Sequence, residues 1–243
     1  GWESYHAQMG GLSMPSKMPG FAFGIPAQLC QVGGVLNKQA PKIDKKTGDV
    51  ADTVCSGCYA LKGNYDYKNV KLALMRRFDI MINEGWPRWT EIMTATLKAA
   101  YEHLPAESRY FRWHDSGDLQ SVEHLAAITQ ICKNTPELQH WIPTREKKYV
   151  STFLAICDTP AARRDAATRG WTLPANLTIR VSATFMDGSK VKPVAAWKGR
   201  VTSSSVSPRA AQVTCPAPKQ SNACRHCRMC WERKVKDVCY KRH

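Results

Sequence analysis

Four cysteines fall within the 16 residues Cys215–Cys230, and three of them, Cys224, Cys227 and Cys230, follow at successive two-residue gaps. A structural zinc ion usually takes two separated C-x2-C pairs that approach from different directions. A triplet at this spacing instead lets one short loop wrap three corners of a [4Fe–4S] cluster, with a remote cysteine as the fourth ligand. Cys215, followed by Pro216, is the remote candidate, although in bacterial ferredoxin runs the Cys-Pro comes after the triplet and not before it. The spacing favours iron–sulfur, with zinc as the alternative metal. His226 inside the triplet reads as a hydrogen-bond donor or surface residue, and Arg225, Arg228 and Trp231 flank the same loop.

A second group is Cys30, Cys55 and Cys58, the last two in "VCSGCYALKG". A C-x2-C pair also occurs in thioredoxin-like sites, but those need a strand-to-helix junction, and this pair sits in a loop-rich lead-in. Three thiolates without a fourth would leave one iron of a cluster open to substrate or cofactor. Cys132 and Cys157 lie on apolar helix faces and read as core thiols, while Cys239 is close enough to the tail to be an alternative ligand. Ten cysteines in a chain of 243 residues are not needed as staples, because that length buries an ample core. No export signal opens the sequence, so the expected compartment is a reducing cytoplasm, where clustered cysteines bind metal more often than they form disulfides. In total the cysteines call for one [4Fe–4S] cluster or two. A third layout, with the N-terminal three sharing one cluster with a tail cysteine, also fits the counts.

The elements that must position these groups change along the chain. The first 70 residues are loop-rich, with "GFAFG" as a short strand. "VKLALMRRFDIMIN" and "RWTEIMTATLKAAYEHL" carry apolar residues at three- and four-residue spacing and predict helices. Then strands and helices alternate: "RYFRWH", a helix over "VEHLAAITQICKN" capped by Ser121, "QHWIP", a helix over "REKKYVSTFLAIC" capped by Thr144, a short helix over "PAARRDAATRG", "NLTIRVSAT" and "GRVTSSSV". Such β-α-β units predict an α/β fold, either a partial (β/α) barrel or an open, mostly parallel sheet. Residues 1–208 form the core with its cysteine-bearing N-terminal loops, and 209–243 a Cys-rich, metal-binding extension. Ligands of parallel sheets bind at the C-terminal strand ends. The polar residues there are Asp115, Ser116, Gly117 and Asp118, then Thr144 and Arg145, then Ser182 and Thr184. His114 directly precedes this turn.

The segments "PGFAFGIPAQLCQVGG", "CSGCYALKGNY", "FRWHDSGDL", "TIRVSAT" and "CPAPKQSNACRHCRMCW" resemble a family of uncharacterised phage proteins, gene product eighty-eight, over nearly the whole chain. That resemblance implies a phage origin and a host-cytoplasm location. A weaker resemblance is to radical S-adenosylmethionine enzymes, which combine a partial barrel, a three-cysteine [4Fe–4S] cluster and a Gly-rich acidic turn for the cofactor's amino group. It implies that Cys30, Cys55 and Cys58 ligate the first cluster and that Ser116, Gly117 and Asp118 stand for the turn. Cys215, Cys224, Cys227 and Cys230 would then hold an auxiliary cluster. The usual C-x3-C-x2-C loop is absent, since 24 residues separate Cys30 from Cys55.

The formal net charge is +15, and nine Lys/Arg against Glu232 and Asp237 place +7 of it in the last 35 residues. Such a surplus points to polyanions, and Trp231 and Tyr240 among these cations add stacking surfaces for nucleic acid. No apolar run approaches the roughly 18 residues of a membrane span. Phosphate-loop, zinc-protease and nucleophile-elbow motifs are missing. Three functions stay open: a redox or radical-type iron–sulfur enzyme served by an electron donor, a basic nucleic-acid-binding module with a structural metal, and a non-catalytic protein that binds a host partner.

Overall fold

The computed structural model describes residues 2–162, 164–197 and 199–242. Helix α1 (Trp2–Gln8) leads into strand β1 (Phe21–Phe23), helix α2 (Gln31–Lys38) and a small hairpin, β2 (Lys42–Ile43) with β3 (Val50–Ala51). Then come α3 (Lys68–Tyr101), β4 (Tyr110–Trp113), α4 (Val122–Asn134), β5 (Gln139–Thr144), α5 (Lys147–Asp158), β6 (Leu177–Ser182), β7 (Thr202–Ser207) and β8 (Asp237–Lys241). Six strands make one sheet in the order β1-β4-β5-β6-β7-β8, and every neighbouring pair is parallel. This is a mixed α/β fold.

The main-sheet strands lie in chain order, so successive crossovers of one hand leave their helices on one face. Phe111 and Trp113 of β4, Ile142 of β5 and Ile179 and Val181 of β6 point to that face, where they join Met93 and Leu97 of α3, Ile128 of α4 and Phe153 of α5 in the main core. The two-residue side-chain period sends Tyr110, Trp141 and Arg180 to the opposite face. There the segment between β7 and β8 covers them: Trp231 packs on Tyr110 and Trp141. Residues 209–242 therefore do not trail from the sheet. They cross its helix-free face and finish as its sixth strand, which the sequence reading did not anticipate.

The two helical segments expected between Val70 and Leu104 run on as α3, broken inside by Gly85 at φ 69°, ψ 166° and followed by Pro87. Ser121 caps α4 as expected, its hydroxyl accepting from His124 N–H at 3.1 Å. Thr144 does not cap α5. It ends β5 and donates to Asp118, and Glu146 holds the N-cap position. The short helix expected over residues 160–170 is a run of turns among the described residues; Arg163 lies outside them. Asp165 supplies the competing bonds there, with its carboxylate accepting from Ala167 N–H.

Candidate functional site

Polar residues gather at the C-terminal ends of β4, β5 and β6. Gly117 turns the chain after β4 at φ 79°, and a methyl on it would lie 2.3 Å from Ile25 Cγ1, so only glycine fits this close approach. Asp118 Oδ1 accepts from Leu119 N–H at 2.7 Å and from Thr144 Oγ1 at 2.6 Å, and Oδ2 accepts from Arg145 N–H at 2.7 Å. Burial nevertheless pushes its carboxyl up to about 6, with these bonds opposing. Asp118 thus clamps β4 to β5, and its oxygens are already engaged. The carboxylate with spare capacity is Asp115, buried, with Oδ1 lacking a hydrogen-bond partner among the described residues; Ser116 Oγ and Arg145 Nε share that state. Asp115 also sits where a side chain on Gly24 would be, since a methyl there would come 2.2 Å from Oδ1.

The N-terminal cysteines reach these strand ends. Cys30 is the N-cap residue of α2, and Cys55 follows a segment fastened to the end of β6 by Val54 N–H to Thr184 C=O at 2.9 Å and by a bridge of Thr53 with Phe185. A methyl on Gly33 would lie 3.6 Å from Cys55 Sγ and 3.7 Å from Cys30 Sγ, so both sulfurs border the first turn of α2. Burial, then Asp118 and the other two thiols, pushes the Cys30 thiol well up. Cys55 is pushed up to about 11 by burial, with Arg145 opposing and Cys58, Asp118 and Glu146 adding. Arg145 also donates to Thr184 Oγ1 at 3.0 Å, and Glu146 accepts from Val32 N–H at 2.9 Å. Cys30, Cys55 and Cys58 therefore form one group with the turn after β4 and with Arg145.

The tail cysteines converge separately, on the helix-free face. Cys215, Cys224, Cys227 and Cys230 line one small cavity of about 20 Å3 together with Met229, Trp231 and Val238. Arg180 holds the loop that carries Cys230, donating through Nε to Cys230 C=O at 3.0 Å and through Nη2 to Met229 and Glu232 C=O at 2.6 and 2.9 Å. Cys230 is pushed up to about 12 by burial and by the Cys215 and Cys224 thiols, with Tyr240 and Arg180 opposing. The Cys230 Sγ and Tyr240 hydroxyl lie 3.1 Å apart. All ten cysteines are free thiols. Among the described residues no group of three or more His, Cys, Asp or Glu is set to hold a metal ion.

Several residues fall outside both groups. Cys239 alternates with Val238 and Tyr240 along β8 and points away from the cavity, and Cys132 is a core thiol, with Cys157 packed against that core. His226 is exposed. His114 turns into the helix side at φ 56°, its ring 5.3 Å from that of His124, and neither ring nitrogen has a partner among the described residues. The stacking surfaces expected of the tail are spent internally: Trp231 is buried with Nε1 donating to Phe111 C=O at 2.9 Å, and Tyr240 is half-buried against Cys230. Arg233 and Arg242 likewise bond Leu177 C=O and Asp52. The sequence reading passed over Arg112, Tyr59 and Tyr65, which lie beside Asp115; the strand-face alternation of "RYFRWH" placed Arg112 opposite the core and was the available signal.

A six-stranded parallel α/β sheet with one thiol group at its strand ends and another on its helix-free face defines the class. The chain belongs to the gene product 88 family, whose model matches residues 4–233. No curated protein and no solved structure matches it. Among the described residues no helix is long and apolar enough to cross a membrane.

Proposed function

We propose that this chain is an iron–sulfur protein in which Cys215, Cys224, Cys227 and Cys230 hold one [4Fe–4S] cluster and Cys30, Cys55 and Cys58 hold a second. The observation that carries this reading is the shared cavity of the four tail cysteines, which lie up to 15 positions apart in sequence yet border one space. Four cysteines bordering one space match the ligand count of either a four-iron cluster or a tetrahedral zinc ion, and the two-residue gaps of Cys224, Cys227 and Cys230 favour the cluster. The thiols are held protonated by burial, so loading releases protons.

The three-cysteine group supports a reactive role, because a cluster held by Cys30, Cys55 and Cys58 alone would lack a fourth protein ligand, and the polar strand ends lie beside these cysteines. Asp115, Ser116, Gly117, Thr144 and Arg145 there offer an unpartnered carboxylate oxygen, hydroxyl and guanidine nitrogen to a small polar ligand that carries both charges. S-Adenosylmethionine has that chemistry. Such a cluster supplies one-electron reduction of its ligand; the protein's residues orient the ligand and keep water out.

Iron, acid-labile sulfide and zinc content of anaerobically purified protein, with absorbance near about 400 nm, tests the reading. About eight irons per chain are expected for two four-iron clusters, and a spectral change when S-adenosylmethionine meets the reduced protein. Stoichiometric zinc without iron overturns it.

A further inference from the structure

The first half of α3 has an outer face open to solvent. The helix runs unbroken from Lys68 to Glu84, and Gly85 at φ 69°, ψ 166° ends that stretch. Leu74, Arg77 and Met81 turn inward, and Gly10, just after α1, closes on Arg77 and Ile80. Leu72, Arg76, Asp79 and Asn83 follow at four-, three- and four-residue steps, so they share the outer face, with Met75 beside them. This face forms a shallow groove of about 650 Å3, bordered also by Ile80 and Glu84. Leu72 is 57% exposed and Met75 43%. Single exposed apolar side chains are ordinary on a surface, but these two lie in one groove. The charges along the stretch are sorted. Lys68, Lys71 and Arg76 fill its N-terminal part, and Asp79 and Glu84 its C-terminal part. Lys71 pairs with Asp66 and Glu84 with Arg88, whereas Arg76 and Asp79 have no ion pair among the described residues.

We propose that this groove is the contact between two copies of this chain, packed antiparallel about a twofold axis. The sorted charges choose the occupant. A helix with a basic first half and an acidic second half complements itself when reversed, whereas a parallel copy would set like charges side by side. With the axis between Arg77 and Phe78, Arg76 of each copy faces Asp79 of the other. Lys71 then faces Glu84, and Met75 faces Ile80, so each groove receives apolar side chains from the other copy. The exposed pairs of Lys71 with Asp66 and of Glu84 with Arg88 are weak enough to exchange partners. The helix holds no cysteine, so this association does not depend on metal content. One face per copy, over roughly 24 Å of helix, makes a small interface, and the expected Kd is about 10–100 µM.

Sedimentation equilibrium of the full chain from about 5 to about 300 µM is the test. The average mass should rise from 27.2 kDa toward twice that value, and rise less in high salt. Leu72→Glu, Arg76→Glu and Asp79→Arg should each weaken association by about tenfold or more. Their circular dichroism should match the parent's, because all three side chains are exposed. Mixing Arg76→Glu with Asp79→Arg gives one chain that is acidic at both positions and one that is basic at both. The mixture should therefore dimerise where neither variant does alone. A parent chain that stays at 27.2 kDa throughout overturns the proposal. A dimer that the three variants leave intact also overturns it, because that dimer would use another face, and so does a mixture that stays monomeric.

Discussion

Arg180 Nε on β6 donates to the backbone carbonyl of Cys230 across 3.0 Å, so a side chain at mid-sheet fixes the position of a cysteine 50 residues later. Its other nitrogens bond the carbonyls of Met229, Glu232, Val235 and Ser203. One buried guanidinium thus ties the segment before β8 to the middle of the sheet. Arg180→Met removes these donors and leaves the carbonyls buried. The expected loss is about 3 kcal/mol or more in a urea titration, with tail-cluster content falling alongside.

The two cysteine groups should respond separately to substitution. Cys227→Ser is expected to remove about half of the iron and leave the N-terminal group's spectrum, and Cys55→Ser the converse. Cys239→Ser should retain full iron, because its side chain points away from the tail cavity. Metal analysis of the three variants checks this.

Gly117 at a strand end and Gly34 in a helix separate steric need from helix propensity. Gly117→Ala would place a methyl 2.3 Å from Ile25 Cγ1 at positive φ, and a loss of about 2 kcal/mol or more is expected. Gly34, inside α2, has nothing within 4 Å of the new methyl. Gly34→Ala should raise stability by about 0.5–1 kcal/mol, read from the urea midpoint.

Acid should destabilise the chain through its buried histidines. Burial depresses His114 and His140 to about 3, with Arg112 also pressing on His114, and burial holds His124 well below its ordinary value. The unfolded chain then takes up these protons first as pH falls. The contribution is complete above about 6.5 and is lost progressively as pH drops toward 3. His140→Gln should flatten the slope of unfolding free energy between pH 6.5 and 4 by up to one proton's worth, measured by denaturant titrations across that range.

From Lys68 onward the long helices and most strands of the main sheet were legible because their causes are local, whereas α1, α2 and the β2–β3 hairpin went unread in the loop-rich lead-in. The three- and four-residue apolar spacing of α4, the hydroxyl of Ser121 at its start and the aromatic alternation of β4 each act within a few residues. Thr144 misled because a strand-end hydroxyl and a helix cap look alike in sequence; Asp118, 26 residues away, decided which it became. β8 was missed for a related reason. Only five residues long and embedded among charges and cysteines, it gains its order from the ladder to β7 and not from its own pattern.

The cysteine spacing by itself singled out Cys224, Cys227 and Cys230, and the pair Cys55 and Cys58, because two-residue gaps are short-range chain geometry; it left open whether the two sets share one site. Tertiary structure alone decided where they lie. Parallel strands in chain order place the helices on one face, leave the other for the tail, and bring the turn after β4 beside Cys30, Cys55 and Cys58. It also decided that Asp118 is a clamp and Asp115 carries the unpartnered oxygen, since which carboxylate meets donors depends on strands 26 residues apart closing together.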